Sequence, residues 1–286
     1  MKVITWDEFL GGKSFGNKQA AMTLGVFDGV HVGHQKLINE VHRDPTHFPV
    51  LFTFRESPAA VIPGRSFPGH IQTLDQKLDR LEELGIKGVV IIDFSPDFGK
   101  LTGKEFLFLV WDKLHYVKLV LGPNHKLGHN GLTASSEAPE ILQGKNVEVI
   151  IPSQVELRGS IVSSTRIRKA VHGGHIDLAC EMLGQGFSID LRGFDFLEGK
   201  TGQKERASDS VIEANSKGFL YKVPVEAVSA KQILPLPGCY SINVKTNQEF
   251  FATKLTLDEQ YIIWNQEKKI PAEQLVFAKS DKPDFT

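Results

Sequence analysis

Leu24-Gly25-Val26-Phe27-Asp28-Gly29-Val30-His31-Val32-Gly33-His34 decides the fold of this chain. The apolar residues from Met22 to Phe27 predict a buried strand, and Asp28-Gly29 predicts the turn that ends it. A helix is expected from His34 to Val41. Gly25 and Gly29 let the backbone turn sharply and approach a ligand, while Gly33 keeps the space between the two histidines clear. Unpaired N–H groups and the dipole at a helix start favour an anion. His31 and His34, three positions apart at such an end, can both donate to one phosphate. Fixed donors aimed at the oxygens of a reacting phosphorus are a large catalytic term. Two other readings stay open. A histidine near a helix start is commonly a cap or a surface residue, and histidine is a common metal ligand. For a metal, only Asp28 lies nearby at zinc-site spacing.

Working outward, strand-like and helix-like segments alternate. The strands are expected at Met22–Phe27, Val50–Phe54, Gly88–Phe94, Lys118–Gly122 and Val147–Pro152, short and apolar on both faces as in a covered parallel sheet. Thr73-Leu74-Asp75-Gln76 opens a helix to Leu84 with Gly85 as its stop, and Thr102-Gly103-Lys104-Glu105 leads into Phe106–His115. This rhythm predicts a doubly wound α/β domain, whose ligands bind beyond the carboxyl ends of the strands. Those ends carry Phe27 to His34 and Gly122-Pro123-Asn124.

A second motif, Ser163-Ser164-Thr165-Arg166-Ile167-Arg168, lies far downstream. Ser163 or Ser164 caps a short helix ending near Val171, and Gly173-Gly174 stops it. Ser164, Thr165 and the free N–H groups would face an anion, with Arg166 and Arg168 adding charge and fork-shaped donors. The alternative is an ordinary capped helix with two solvated arginines. After about Gly186 the character changes. Arg192 to Lys217 is rich in charge, Gly and Ser, and then come β-type segments Phe219–Val225, Cys239–Val244, Phe250–Leu257, Tyr261–Trp264 and Leu275–Ala278. They predict a small antiparallel barrel or sandwich.

These residues resemble the bacterial FAD synthetase family, usually bifunctional riboflavin kinase/FMN adenylyltransferase. The likeness covers residues 10–185. It rests on Gly25 to His34, Thr53-Phe54, Pro58, Gly122-x-Asn124, Gly128, Ser163 to Arg168, Gly174 to Ala179 and Leu183-Gly184. The resemblance implies a nucleotidyltransferase fold over residues 1–185 and a riboflavin-kinase-like β-barrel over 186–286. It implies a Mg-dependent reaction in which FMN plus ATP gives FAD plus pyrophosphate. His31, His34 and Arg168 are then catalytic. Gly25, Phe27, Asp28, Gly33, Asn124, Ser164 and Thr165 bind ATP, and Phe54 and Pro58 contact the flavin. Metal ligands are not assigned. Phe54 as plain core, Asn124 as a turn residue and Asp28 as a brace of its turn are the competing readings.

The chain departs from the family in three places, one being Thr53-Phe54-Arg55-Glu56-Ser57-Pro58, where only the second proline of the family's Thr-Phe-x-Pro-x-Pro remains. Where members carry Gly-x-Asn/Asp-Phe-x-Phe-Gly, it reads Gly122-Pro123-Asn124-His125-Lys126-Leu127-Gly128, which exchanges both aromatics. The Gly-x-Pro-Thr-Ala-Asn run of the kinase barrel is missing, and Gly199 to Ser208 stands in its region. A retained barrel without kinase chemistry is therefore expected. Rival readings are a transferase of the same fold with another phosphate acceptor, and a non-catalytic flavin- or nucleotide-binding module.

Composition sets the outer bounds. With 286 residues, 33 Lys and Arg against 34 Asp and Glu, and a formal net charge of −1, no broad basic surface argues for nucleic acid. No apolar run is long enough to span a membrane. Asp7 comes too early for a secretory signal. Cys180 and Cys239 are far apart and are expected as reduced, buried thiols, which favours the cytoplasm.

Overall fold

Short strands that are apolar on both faces need helices on both faces. The computed structural model describes residues 1–16, 18–62, 64, 67–95, 97–194, 197–200, 206–207, 210–211, 219–267 and 270–277. It forms two compact units, Met1–Phe67 with Leu74–Val162, and Pro68–Thr73 with Ser163–Thr286. The first unit runs β1 (Lys2–Thr5), α1 (Trp6–Leu10), β2 (Ala20–Leu24), α2 (Val32–Val41), β3 (Phe48–Phe54), α3 (Pro58–Val61), α4 (Leu74–Glu83), β4 (Gly88–Ile92), α5 (Gly103–Leu114) and β5 (Lys118–Val120). A ribbon of β6 (Lys126–Leu127) and β7 (Thr133–Ala134) follows, then α6 (Ala138–Ile141), β8 (Glu148–Ile150) and a hairpin of β9 (Glu156–Leu157) and β10 (Ser160–Ile161).

The six-stranded sheet has the order β1-β4-β3-β2-β5-β8 with every pair parallel. From β2 the chain builds outward through β3 to β4, then restarts with β5 on the other side of β2. The switch point lies between β2 and β5, where a crevice forms beyond the strand ends. Alternation along the strands separates two cores. Met22, Val50, Phe52, Val90 and Leu119 pack with Phe9, Phe106 and Val110. Ala21, Leu51, Val89, Ile91 and Val120 pack with Leu37, Ile38, Val41 and Leu81.

The doubly wound parallel sheet agrees with the expectation, and its details differ in instructive places. The strand expected over Met22–Phe27 ends at Leu24, because Phe27, Gly29 and Val30 leave the extended region for positive φ. Helix α2 starts at Val32 rather than His34, because His31 takes the N-cap. Thr102 and Glu105 form the expected reciprocal cap of α5. The edge strand β1 was not anticipated. It is four residues long and pairs only with β4, too short to show a period.

The second unit contains α7 (Ser164–His172), α8 (Ile176–Leu183) and a seven-stranded antiparallel sheet. Its strands are β11 (Ser188–Asp190), β12 (Leu197–Lys200), β15 (Phe219–Pro224), β16 (Gly238–Thr246), β17 (Phe250–Leu257), β18 (Tyr261–Gln266) and β19 (Ala272–Phe277), in the order β11-β19-β16-β17-β18-β15-β12, a curled half-barrel. The two-stranded ribbon β13 (Arg206–Ala207) with β14 (Ser210–Val211) and the short α9 (Val225–Ser229) complete it. Cys180 is buried as expected, but Cys239 is exposed, since it points outward on β16 beside the inward Tyr240. Ala278, Thr201 to Glu205 and Ser208, which the sequence reading included, lie outside the described residues. No described helix is long and apolar enough to cross a membrane.

Candidate active site

The loop after β2 is built against local preference. Gly25 N–H still reaches Phe52 O at 3.0 Å, extending the sheet by one bond. Then Phe27 (φ +52°), Gly29 (φ +86°) and Val30 (φ +38°) adopt left-handed backbone. Only the glycine does so freely. A non-glycine residue there costs about 1–2 kcal/mol, and a β-branched one is an outlier. Burial of the Phe27 and Val30 side chains offsets this strain. So do the bonds from Val30 N–H to Phe27 O (3.2 Å), from Gln35 Nε2 to Val30 O (2.9 Å) and from Thr53 Oγ1 to Val26 O (2.9 Å). Strain of this kind collects at ligand-holding loops.

The loop delivers His31 and His34 as a stacked pair, with centroids 3.6 Å apart and planes within 16°. Phe27 packs on the other ring at 4.8 Å. His31 Nδ1 accepts the His34 backbone N–H at 3.3 Å, so the proton of a neutral ring sits on Nε2. Burial pushes the His31 imidazolium down to about 4. His34 is lowered well below its ordinary value by burial and by the charges of His31, Lys77 and His125. Both rings are therefore neutral near pH 7, and His31, tied through Nδ1, keeps its N–H on Nε2. His34 Nδ1 is buried without a hydrogen-bond partner. Gly33 is needed here, for a Cβ would come within 3.1 Å of the His31 ring.

Asp28 is buried, with 4% of its surface exposed. Beneath the loop lies Lys77 of α4, which donates to Phe54 O (2.8 Å), Thr53 Oγ1 (3.2 Å) and Val26 O (3.3 Å). Burial lowers the Lys77 ammonium to about 8, against the carboxylates of Asp28 and Glu56. Sequence reading passed over Lys77. The signal was present, since it falls on the apolar stripe of Leu74, Leu78 and Leu81. After β5, Asn124 is exposed, while burial lowers His125 to about 4. The departure from the family's aromatic thus places a third neutral imidazole within electrostatic reach of His34.

Phe54 ends β3 and is partly buried, with Phe94 at 6.2 Å and Phe98 at 5.8 Å around its ring. Both readings of Phe54 survive, since the ring packs on the core and keeps an open side. Pro58 is the first residue of α3, behind the Ser57 cap. In the second unit Ser163, not Ser164, is the N-cap of α7 and accepts from Arg166 N–H at 3.3 Å. Ser164 and Thr165 form the first turn, with Thr165 exposed. Arg168 Nε donates to Gly69 O at 2.8 Å, which fixes the direction of its guanidinium. Among the described residues no group of three His, Cys, Asp or Glu side chains converges as a metal site.

The family model described as FAD synthetase matches residues 14–166, more than half of the chain. The bifunctional riboflavin kinase/FMN adenylyltransferase of Buchnera aphidicola is 27% identical over 234 residues, spanning 80% of this chain and 69% of that protein. The protein of the same description from Bacillus subtilis is 26% identical over 239 residues, spanning 82% and 70%. A crystal structure of a Streptococcus pneumoniae protein titled macrolide-efflux protein superposes with a TM-score of 0.73. That structure is 21% identical and covers all of this chain and 91% of the other, a likeness of fold. With the match over residues 14–166 and the strained, histidine-bearing loop inside it, the chain belongs to the FAD synthetase family.

Proposed function

We propose that this protein synthesises FAD by transferring AMP from ATP to FMN. The reading is carried by the stacked, neutral His31–His34 pair at the switch point of the sheet, within the stretch that matches the FAD synthetase family. An FMN phosphate oxygen attacks the α-phosphorus of ATP. One P–O bond forms, the bond to the β-phosphate breaks, and pyrophosphate leaves. His31 and His34 donate to the α-phosphate oxygens, where charge grows, and positioning with electrostatics carries the rate. Gly25, Phe27, Asp28, Gly33 and Asn124 shape the ATP side, and Phe54 and Pro58 the flavin side. Ser164, Thr165 and Arg168 hold the leaving phosphates. In this reading residues 1–185 form the transferase domain and 186–286 a kinase-like barrel. Mg enters on the triphosphate as part of the substrate, where it would shield phosphate charge and keep several waters. Asp28 would meet the nucleotide or its metal from the histidine loop, and no protein cage is required. The reaction belongs to the cytoplasm, with small molecules rather than nucleic acid as partners. The direct test is purified protein with FMN, ATP and Mg, scored for FAD by chromatography. Absence of FAD, or faster adenylylation of another phosphate acceptor, overturns the reading.

Two expectations follow for the rest of the chain. Ser164→Ala, Thr165→Ala and Arg168→Ala each weaken ATP and pyrophosphate about tenfold, the typical loss of one charge-assisted bond, while FMN affinity holds. Calorimetry with each ligand decides, and a selective loss of FMN affinity would place the motif on the wrong half of the pocket. Riboflavin plus ATP is expected to give FMN at less than about a hundredth of the adenylylation rate, because no Gly-x-Pro-Thr-Ala-Asn run seats a phosphoryl donor. Comparable rates would show that the stretch from Gly199 to Ser208 replaces it.

A further inference from the structure

Lysine is among the residues least often buried, and an ammonium taken from water is costly unless its donors are used. Lys77 is 6% exposed, and each of its three protons has an acceptor in the structure. Those acceptors are not scattered. Val26 O lies just beyond the end of β2, and Thr53 Oγ1 and Phe54 O lie at the end of β3. Thr53 Oγ1 also donates to Val26 O, so Lys77, Thr53 and Val26 close a triangle. The next residue, Phe27, is the first with left-handed backbone. The clamp therefore grips the peptide at which the strained loop leaves the sheet.

We infer that Lys77 is a positioning residue for adenylyl transfer: its ammonium clamps the Val26 carbonyl to the end of β3 and holds the loop that presents His31 and His34. The inference rests on the adenylyltransferase reading. An apolar side chain of the same length would fill the space but leave Phe54 O and Thr53 Oγ1 without this donor, and Val26 O with the Thr53 hydroxyl alone. The loop would then relax, and a displacement of about 1 Å from productive geometry costs on the order of 10² in rate. The same buried charge faces the His34 ring and favours its neutral, donating form.

Lys77→Met is expected to lower kcat about 100-fold with KM for ATP within threefold. Thr53→Val, which removes one tie, should lower kcat about tenfold, and the double variant should be no worse than Lys77→Met alone, as residues in one network are not additive. Burial holds the Lys77 ammonium near 8, so kcat/KM of the wild type should fall above about pH 8. The ionisable groups acting on it are Asp28 in the loop, Glu56 after β3 and His34 on α2. Lys77→Arg, which keeps its charge, should carry activity to higher pH. Hydrogen exchange across residues 24–35, without substrate, should quicken at least tenfold in Lys77→Met. Should Lys77→Met fail to fold, Thr53→Val and Lys77→Arg carry the same measurements. Turnover within threefold of wild type in a folded Lys77→Met, or unchanged exchange in the loop, overturns the inference. A wild type that makes no FAD sinks the adenylyltransferase reading separately, since the exchange measurement stands without it.

Discussion

Alanine at His31 or His34 is expected to lower the turnover of FAD formation by about 10²–10³ while KM for ATP changes only a fewfold. In the proposed reaction each lost donor is aimed at charge that grows in the transition state, and removing one such donor costs roughly that factor. The effect falls on kcat because the interaction strengthens as the phosphorus is attacked, not when ATP arrives. The two positions are separable. His31 also caps α2 through Nδ1, so His31→Ala loses a cap as well, at about 0.5–2 kcal/mol of stability. His31→Asn supplies a capping oxygen without an imidazole, and is expected to melt near the wild type yet turn over as slowly as His31→Ala. Steady-state kinetics beside thermal unfolding measure both. If turnover stays within threefold of the wild type for both alanine variants, the assigned role is wrong.

Much of this site is legible in the sequence because local chemistry and fold agree there. The paired glycines, the two histidines and the strand–helix rhythm point to one face of a parallel sheet, and the strand order puts the loops after β2 and β5 at its switch point. Two features escaped because distant parts of the chain decide them, and a third stood only as an alternative. Phe27 and Val30 look like strand residues by propensity, and burial in the tertiary core overrides that preference. The cap role of His31 was held as an alternative to catalysis. The structure shows the cap, and a ring that caps through Nδ1 is fixed to donate through Nε2, so the cap is compatible with the proposed role. Lys77 directly follows the Thr73–Gln76 helix start, yet only the closure of β2 on β3 shows what its ammonium holds. The family pattern pointed to aromatic packing at position 125, and the imidazole there contributes to the field at His34 instead.

That field has a consequence for stability. His31, His34 and His125 all lie below their ordinary pKa, chiefly through burial, while in the unfolded chain they bind protons near pH 6.5. A histidine held neutral by the fold stabilises it fully above the unfolded value, and the contribution is lost as pH falls toward the folded one. For His31, with a folded value of about 4, the unfolded chain gains the extra proton between pH 6.5 and 4. At pH 5 the loss is about 2 kcal/mol for this group alone, by one pKa unit to about 1.4 kcal/mol. His34 and His125 lose stability in the same direction, and their sum is less than additive because His34 feels both other rings. Several carboxylates lowered by hydrogen bonds, among them Glu8, Asp44 and Glu105, act only at lower pH, since their ordinary values already lie near 4. The window from pH 6.5 to 5 therefore isolates the imidazoles. Urea unfolding at pH 7.5 and pH 5 is expected to show a midpoint that falls steeply with acid, and a shallower fall in His125→Phe, which restores an aromatic in place of the titrating ring. Equal midpoints at the two pH values would mean that the folded protein protonates these rings as readily as the unfolded chain.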